Sequence, residues 1–241
     1  AHAHSCGINE DGLVECWGCE PPRQGFQCHI PRDVVASKAL ISKDPLHGLR
    51  TIDVGEMSSC VVMADGRVKC WGCEEPENYG QCSPPSDISA KGVAVSFMHS
   101  CAALQGGGVQ CWGSNKMDEL KAPAALRDVK DIAISQGYSA AVATTGELYL
   151  WGKAAPGLCE QPDACVKVKS VTAAVDYLCV SYLDGRNSCV RTKNDHKDAQ
   201  ESRDRAGYKW MVDKDIEALS VDAGVTMALV KSELVDKNKD Q

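Results

Sequence analysis

The sequence predicts an all-β fold, a β-propeller of about six repeat units stapled by disulfides. Three observations carry this. Similar segments recur roughly every 40 residues. Each segment holds a glycine turn between runs of strand-forming residues. Cysteines sit in pairs ten residues apart across those turns.

The repeats come first, because a fixed period of this length marks a propeller or solenoid. His4-Ser5-Cys6 leads to Cys16-Trp17-Gly18, and Ser58-Ser59-Cys60 to Cys70-Trp71-Gly72. His99-Ser100-Cys101 leads to Cys111-Trp112-Gly113, and Tyr138-Ser139-Ala140 to Leu150-Trp151-Gly152. In a fifth copy Tyr177-Leu178-Cys179 leads to Cys189-Val190-Arg191, without the Trp-Gly pair. A degraded sixth copy passes through Met227. From Cys60 the steps are 41, 39, 39 and 48 residues. The first step is 54, its excess lying in an inserted loop over 36–47. The units run approximately over 1–47, 48–90, 91–129, 130–168, 169–216 and 217–241, in one domain spanning 1–241. About 40 residues suit a blade of four short strands.

Within each unit a leading strand shows period-2 alternation: Ile52-Asp53-Val54, Val93-Ala94-Val95, Ile132-Ala133-Ile134 and Leu219-Ser220-Val221. Such alternation marks a strand with one buried face. A hairpin follows, turning at Glu10-Asp11-Gly12, Ala64-Asp65-Gly66, Gly106-Gly107-Gly108, Thr144-Thr145-Gly146 and Leu183-Asp184-Gly185. Glycine supplies the positive φ that a tight hairpin needs. None of the ten prolines falls inside these hairpins. The first copy lacks a leading strand and the last lacks a Trp-Gly strand, so residues 217–230 are expected beside the N-terminal hairpin, closing the ring.

The fourteen cysteines form two classes. Cys6/Cys16, Cys60/Cys70, Cys101/Cys111 and Cys179/Cys189 flank the hairpin turns ten residues apart. A three-residue turn places such partners opposite each other, near enough to bridge. The fourth copy has Ala140 and Leu150 instead, both cysteines being absent together. Cys19/Cys28 and Cys73/Cys82 are nine apart, and Cys159/Cys165 is a shorter version in the fourth copy. The expectation is seven disulfides. A rival reading takes the Cys-x-x-Cys spacings as zinc sites, Cys6/Cys16/Cys19/Cys28 and Cys60/Cys70/Cys73/Cys82. It leaves Cys101/Cys111 and Cys179/Cys189 unexplained. A redox pair lacks its strand–helix setting. Disulfides at this density place the protein in an oxidising compartment, so it is expected to be secreted. No charged-then-apolar leader opens the chain, so a secreted form would start near a processed or engineered end at Ala1.

Composition narrows the function. Hydrophobic residues make up 44% but aromatics only 5%, so the core is built mainly from Val, Ala, Leu, Ile and Cys. The net charge is −7 and no basic block appears. Nucleic acid is therefore not an expected partner, because a phosphate-tracking groove needs clustered Lys and Arg. No apolar run is long enough to span a bilayer, so no membrane insertion is expected.

The string His-Ser-Cys…Asp-Gly-x-Val-x-Cys-Trp-Gly resembles the regulator of chromosome condensation repeat family. Gly80-Gln81, eight residues after Gly72, and Trp112-Gly113-Ser114-Asn115 extend the resemblance. It covers residues from about 4 to 230 and is strongest in the first three copies. It implies a β-propeller, usually of seven blades. Members of the family serve as a nuclear nucleotide exchange factor, as a secreted inhibitor of β-lactamases, and as the cysteine-rich exterior of plant receptor kinases. The paired cysteines are most similar to the last kind. Fold likeness does not carry function with it.

The candidate sites are few. His4 and His99 share one repeat position, where the family uses His structurally, and Ser5, Ser59, Ser100 and Ser139 follow in register. Repetition makes them blade joints rather than catalytic pairs, and no catalytic residue, cofactor or metal is expected. Trp17, Trp71, Trp112 and Trp151 share another position. Their structural reading is packing between blades. Their functional reading is an aromatic face for sugars or a protein. Tyr208 and Trp210 end an irregular stretch over 192–214, of the kind that recognises partners on a rigid scaffold. The expected function is non-catalytic recognition of an extracellular protein or glycan through propeller loops. Alternatives are a multivalent lectin, an inhibitor of a secreted enzyme and, less favoured, a thiol redox protein or enzyme.

Overall fold

The computed structural model describes residues 4–18, 28–35, 37–41, 48–73, 78–153, 157–160, 165–173, 177–191, 216–222 and 225–230. Cys19, Tyr208, Trp210 and the stretch 192–214 lie outside them.

The regular structure among the described residues is almost entirely antiparallel strand. The N-terminal hairpin joins β1 (Ser5–Ile8) to β2 (Val14–Trp17). Four three-stranded sheets follow. They are β3 (Ile52–Val54), β4 (Ser59–Val62) and β5 (Val68–Trp71), then β6 (Ala90–Val95), β7 (His99–Leu104) and β8 (Val109–Gly113). Next come β9 (Val129–Ser135), β10 (Tyr138–Ala143) and β11 (Leu148–Trp151), then β12 (Val168–Ala173), β13 (Tyr177–Tyr182) and β14 (Asn187–Arg191). A two-stranded sheet pairs β15 (Ile216–Asp222) with β16 (Val225–Val230). The helical elements are a single turn α1 (Arg32–Val35) and a 3-10 turn at Gly157–Glu160. No described helix is long and apolar enough to cross a membrane.

All four alternating segments read from the sequence are strands. The structure adds β12, whose Val-Lys-Ser-Val-Thr-Ala sequence alternates less clearly. The expected four strands per blade are three at most among the described residues. The described segments that would supply a fourth hold Pro84, Pro85 and Pro123. Proline cannot donate to a ladder, so pairing stops there.

The hairpin register follows the turn chemistry. Asn9 N donates to Leu13 O at 3.0 Å, and Gly12 N to Asn9 O at 2.9 Å, with Gly12 at φ +80°. This is a three-residue loop closed by a residue in the left-handed region. In Gly106-Gly107-Gly108 it is Gly107 that takes this place, at φ +106°. Counting from the Asn9–Leu13 pair, Cys6 and Cys16 fall on a non-hydrogen-bonded pair, where side chains come closest.

Cys6–Cys16, Cys60–Cys70, Cys101–Cys111 and Cys179–Cys189 all close as cross-strand disulfides, with Cα separations of 4.0–4.1 Å. Cys73–Cys82 and Cys159–Cys165 are also bonded. Cys28 is disulfide-bonded too, and none of the described cysteines is free. With Cys60–Cys70 and Cys73–Cys82 closed separately, one four-thiolate zinc reading loses all its ligands, and Cys6–Cys16 takes two from the other.

The core is a series of layers between successive sheets. Val14, Val34, Val61, Met63 and Trp71 fill the first, with α1 contributing Val34. Val62, Val68, Val93 and Trp112 belong to the second. Leu126, Val129, Ile132 and Trp151 belong to the third. Tyr138, Val142, Leu148, Leu178, Val180 and Tyr182 belong to the fourth. Among the described residues each of these layers lies between two sheets adjacent in sequence, and Leu49 ahead of β3 reaches the third layer.

Candidate functional site

The repeat motif builds the joints between sheets. In the third unit Trp112 Nε1 and Ser100 Oγ both donate to the Gln81 carbonyl, at 2.7 and 3.1 Å. In the fourth, Trp151 Nε1 and Ser139 Oγ both donate to the Glu119 carbonyl, at 2.8 and 3.1 Å. The loop from the unit before thus places one carbonyl in a two-donor clamp on the unit after. Ser100 and Trp112 are cross-strand partners, as are Ser139 and Trp151, so the hairpin register aims both donors at one point.

The clamped loops share a build. Gln81 Oε1 accepts from Tyr79 N at 2.7 Å, and Glu119 Oε2 from Met117 N at 2.5 Å. The residue between is left-handed in both, Gly80 at φ +88° and Asp118 at φ +59°. Gln81 Nε2 also donates to Phe97 O at 3.2 Å. Glu119 has no such donor, and its Oε1 is buried without a partner.

The histidines complete these joints. His99 Nε2 meets Ser139 Oγ at 2.9 Å, and His4 Nε2 meets Ser59 Oγ at 2.7 Å. Ser139 Oγ donates its proton to the Glu119 carbonyl and not to His99. A general base would have to accept that proton. Burial holds the His99 imidazole down at about 4, in its neutral form. The pair is arranged as a joint.

Three of the four equivalent tryptophans are taken up by these layers. Trp71, Trp112 and Trp151 are 5%, 6% and 7% exposed, whereas Trp17 is 58% exposed.

Buried carboxylates join the leading strands. Asp53 Oδ2 accepts from Val95 N, and Asp131 Oδ2 from Val171 N, both at 2.8 Å. Arg50 pairs with Asp53 at 3.1 Å. Burial raises both carboxyls, Asp131 to about 6. Desolvation lowers the Lys130 ammonium, which donates to Val168 O at 2.8 Å. Asp53, Asp131 and Lys130 each bond to the backbone of the next sheet, which is a structural role.

One surface cluster has no such role. Tyr79 and Phe97 meet edge to face, with ring centroids 5.7 Å apart, and Lys116 Nζ lies 5.6 Å from the centre of the Tyr79 ring. Met117 beside them is 42% exposed. These residues come from the loop before β6, the β6–β7 turn and the loop after β8. Both rings are half-buried, and the Gln81–Phe97 and Tyr79–Gln81 hydrogen bonds fix the backbone beneath them. An aromatic pair beside a cation offers stacking area together with a positive charge. Sequence reasoning missed this cluster because it followed the repeated tryptophans. The signal was the departure from the repeat. Phe97 is one of only two phenylalanines, at a turn position where other units carry Glu56 and Gln136.

No protein-family model and no curated protein matches the sequence. Solved structures do match. The CRINKLY WD40 ectodomain of the Arabidopsis thaliana receptor kinase ACR4 aligns with a TM-score of 0.62 at 15% identity, over 95% of this chain and 72% of its own. The entire ectodomain of the Physcomitrella patens receptor kinase CR4 gives 0.62 at 18% identity, over 95% and 57%. Prp20p from Saccharomyces cerevisiae gives 0.62 at 15% identity, over 95% and 68%; its structure is described with its binding properties to Gsp1p and histones. This chain therefore spans little more than half of the moss ectodomain. With its repeated sheets and clamps, the chain has the fold of the regulator of chromosome condensation-like β-propellers.

Proposed function

We propose that this protein is a secreted, non-catalytic recognition module that binds an extracellular macromolecule through loops on its rigid sheets. The observation that carries the reading is the Tyr79–Phe97–Lys116 cluster, a half-buried aromatic pair at the surface beside a cation. The disulfides support an oxidising compartment. Two similar structures are receptor-kinase ectodomains, which fits an extracellular binding role. The equivalent positions in other units carry Glu56 and Gln136, so the aromatic platform is not repeated. A single site favours one protein or glycan partner over a multivalent lectin.

The test pairs the wild type with a Tyr79→Ala/Phe97→Ala variant on glycan arrays and in pull-downs from extracellular material. Loss of at least about tenfold in binding, roughly 1.4 kcal/mol, is the expected result for a paired aromatic anchor. Equal binding by both proteins would remove this surface from the function. Compartment is tested separately, by alkylating the denatured protein without reduction and measuring its intact mass. No adducts before reduction, and fourteen after it, are expected from the cysteine count.

A further inference from the structure

The joints among the first four units share a trailing side, and those of the third and fourth units also show a leading side. On the trailing side, the disulfide sulfur of one unit lies against the serine of the next. Cys6 Sγ approaches Ser59 Oγ at 3.7 Å, Cys60 Sγ approaches Ser100 Oγ at 3.9 Å, and Cys101 Sγ approaches Ser139 Oγ at 3.8 Å. On the leading side, Ser100 with Trp112 and Ser139 with Trp151 each hold a carbonyl from the preceding loop. The first unit has a complete trailing side, through His4 and Cys6.

Its leading side is also built. Ser5 and Trp17 are cross-strand partners in the same register as Ser100 and Trp112. Ser5 is exposed and Trp17 is 58% exposed, against 0% and 6% for Ser100 and Trp112. Neither the Ser5 hydroxyl nor the Trp17 indole N–H hydrogen-bonds to a described residue, although the two backbones pair on the ladder. The Trp17 ring lies over Gly7, where an added Cβ would stand 3.4 Å from it, so the hairpin itself supports the indole.

We propose that Ser5 and Trp17 form an open docking clamp for a protein loop of the kind that fills the other clamps. Its occupant is a loop from a further repeat unit, of the form x-(Gly/Asp)-(Gln/Glu). The middle residue is left-handed, and the Gln or Glu side chain folds back on the backbone, leaving its main-chain carbonyl facing outward. This follows from continuity with the described joints, because the Gln81 and Glu119 loops meet the same pair of donors in the same way. The clamp is distinct from the Tyr79–Phe97–Lys116 surface, so either can fail without the other.

The probe is the chain's own loop as a peptide, residues 73–82, cyclised through its Cys73–Cys82 disulfide. It is titrated to millimolar concentration into the ¹⁵N-labelled full chain. The Trp17 indole N–H resonance is assigned by its loss in Trp17→Phe. The expected result is a saturable downfield shift of that resonance, with the other four indoles unmoved. In Ser5→Ala the peptide should bind about tenfold more weakly, as loss of one of two hydrogen bonds predicts. Both substituted residues are exposed, so these variants keep the fold, and unchanged resonances elsewhere verify this. Absence of a saturable Trp17 shift would overturn the proposal, as would equal binding by Ser5→Ala. A Trp17 indole already shielded from water in the free chain would also overturn it, since the chain's own end would then fill the clamp.

Discussion

His99 and Asp131 respond to acid in opposite directions. The unfolded chain protonates His99 near 6.5 and the folded chain only near 4, so folding loses stability as pH falls between those values. The full effect is on the order of 3 kcal/mol. Asp131 is raised by burial from 3.8 to about 6, so the folded chain binds the proton first and gains stability as pH falls through that window. Its effect is also on the order of 3 kcal/mol. The two contributions nearly cancel between pH 6 and 4. Urea midpoints of the wild type should therefore change little there. The midpoint of His99→Gln should rise on acidification and that of Asp131→Asn should fall. Parallel profiles for all three proteins would contradict the assignment. Glu119 offers a second test. It occupies the place of Gln81 but lacks the donor that Gln81 gives to Phe97 O. The carbonyl of Gln136 stands at the repeat position of Phe97. Glu119→Gln should raise stability by roughly 1 kcal/mol, read as a shift in urea midpoint.

At the level of the hairpin, the ten-residue disulfide is reinforcement on a register that the turn already sets. The fourth unit shows this, because Ala140 and Leu150 pair in the same register without a bond. Replacing Cys101 and Cys111 by Ala and Leu, the residues that unit uses, should leave the sheet intact. It should lower stability by about 2–3 kcal/mol, the chain-entropy value for a short loop. Circular dichroism and a urea titration check the two halves of that statement. These hairpins were legible because turn glycine, alternation and cysteine spacing all point to one geometry. The lack of a fourth strand among the described residues was less legible, since forty residues leave room for it and the backbone chemistry of proline works against it. β12 was passed over because Lys169 and Ser170 interrupt its apolar face. The candidate site was the least legible part. Repetition drew attention to Trp71, Trp112 and Trp151, which the repeat buries, while Tyr79, Phe97 and Lys116 become neighbours only through three separate loops.

At the scale of the whole molecule, stability is a sum over interfaces between neighbouring units, as in other repeat folds. Among the described residues the core is divided into layers, each between two successive sheets. The same substitution should therefore have different consequences along the repeat. Trp112→Ala empties part of the layer between the second and third units and removes one of two donors to the Gln81 carbonyl. A buried aromatic lost in this way costs about 3–5 kcal/mol. Trp17→Ala removes the same residue at the same repeat position, but from an indole with no described layer on its leading side. Its cost in the free chain should stay within about 0.5 kcal/mol, as for other surface changes. Urea titrations of the two variants, run with disulfides intact, make the comparison. A cost for Trp17→Ala near that of Trp112→Ala would mean that the first unit is already covered in solution, and that the repeat array has no open end there. A small cost, together with a large one for Trp112→Ala, would show that a tryptophan in this motif stabilises the fold only when a neighbouring unit covers it.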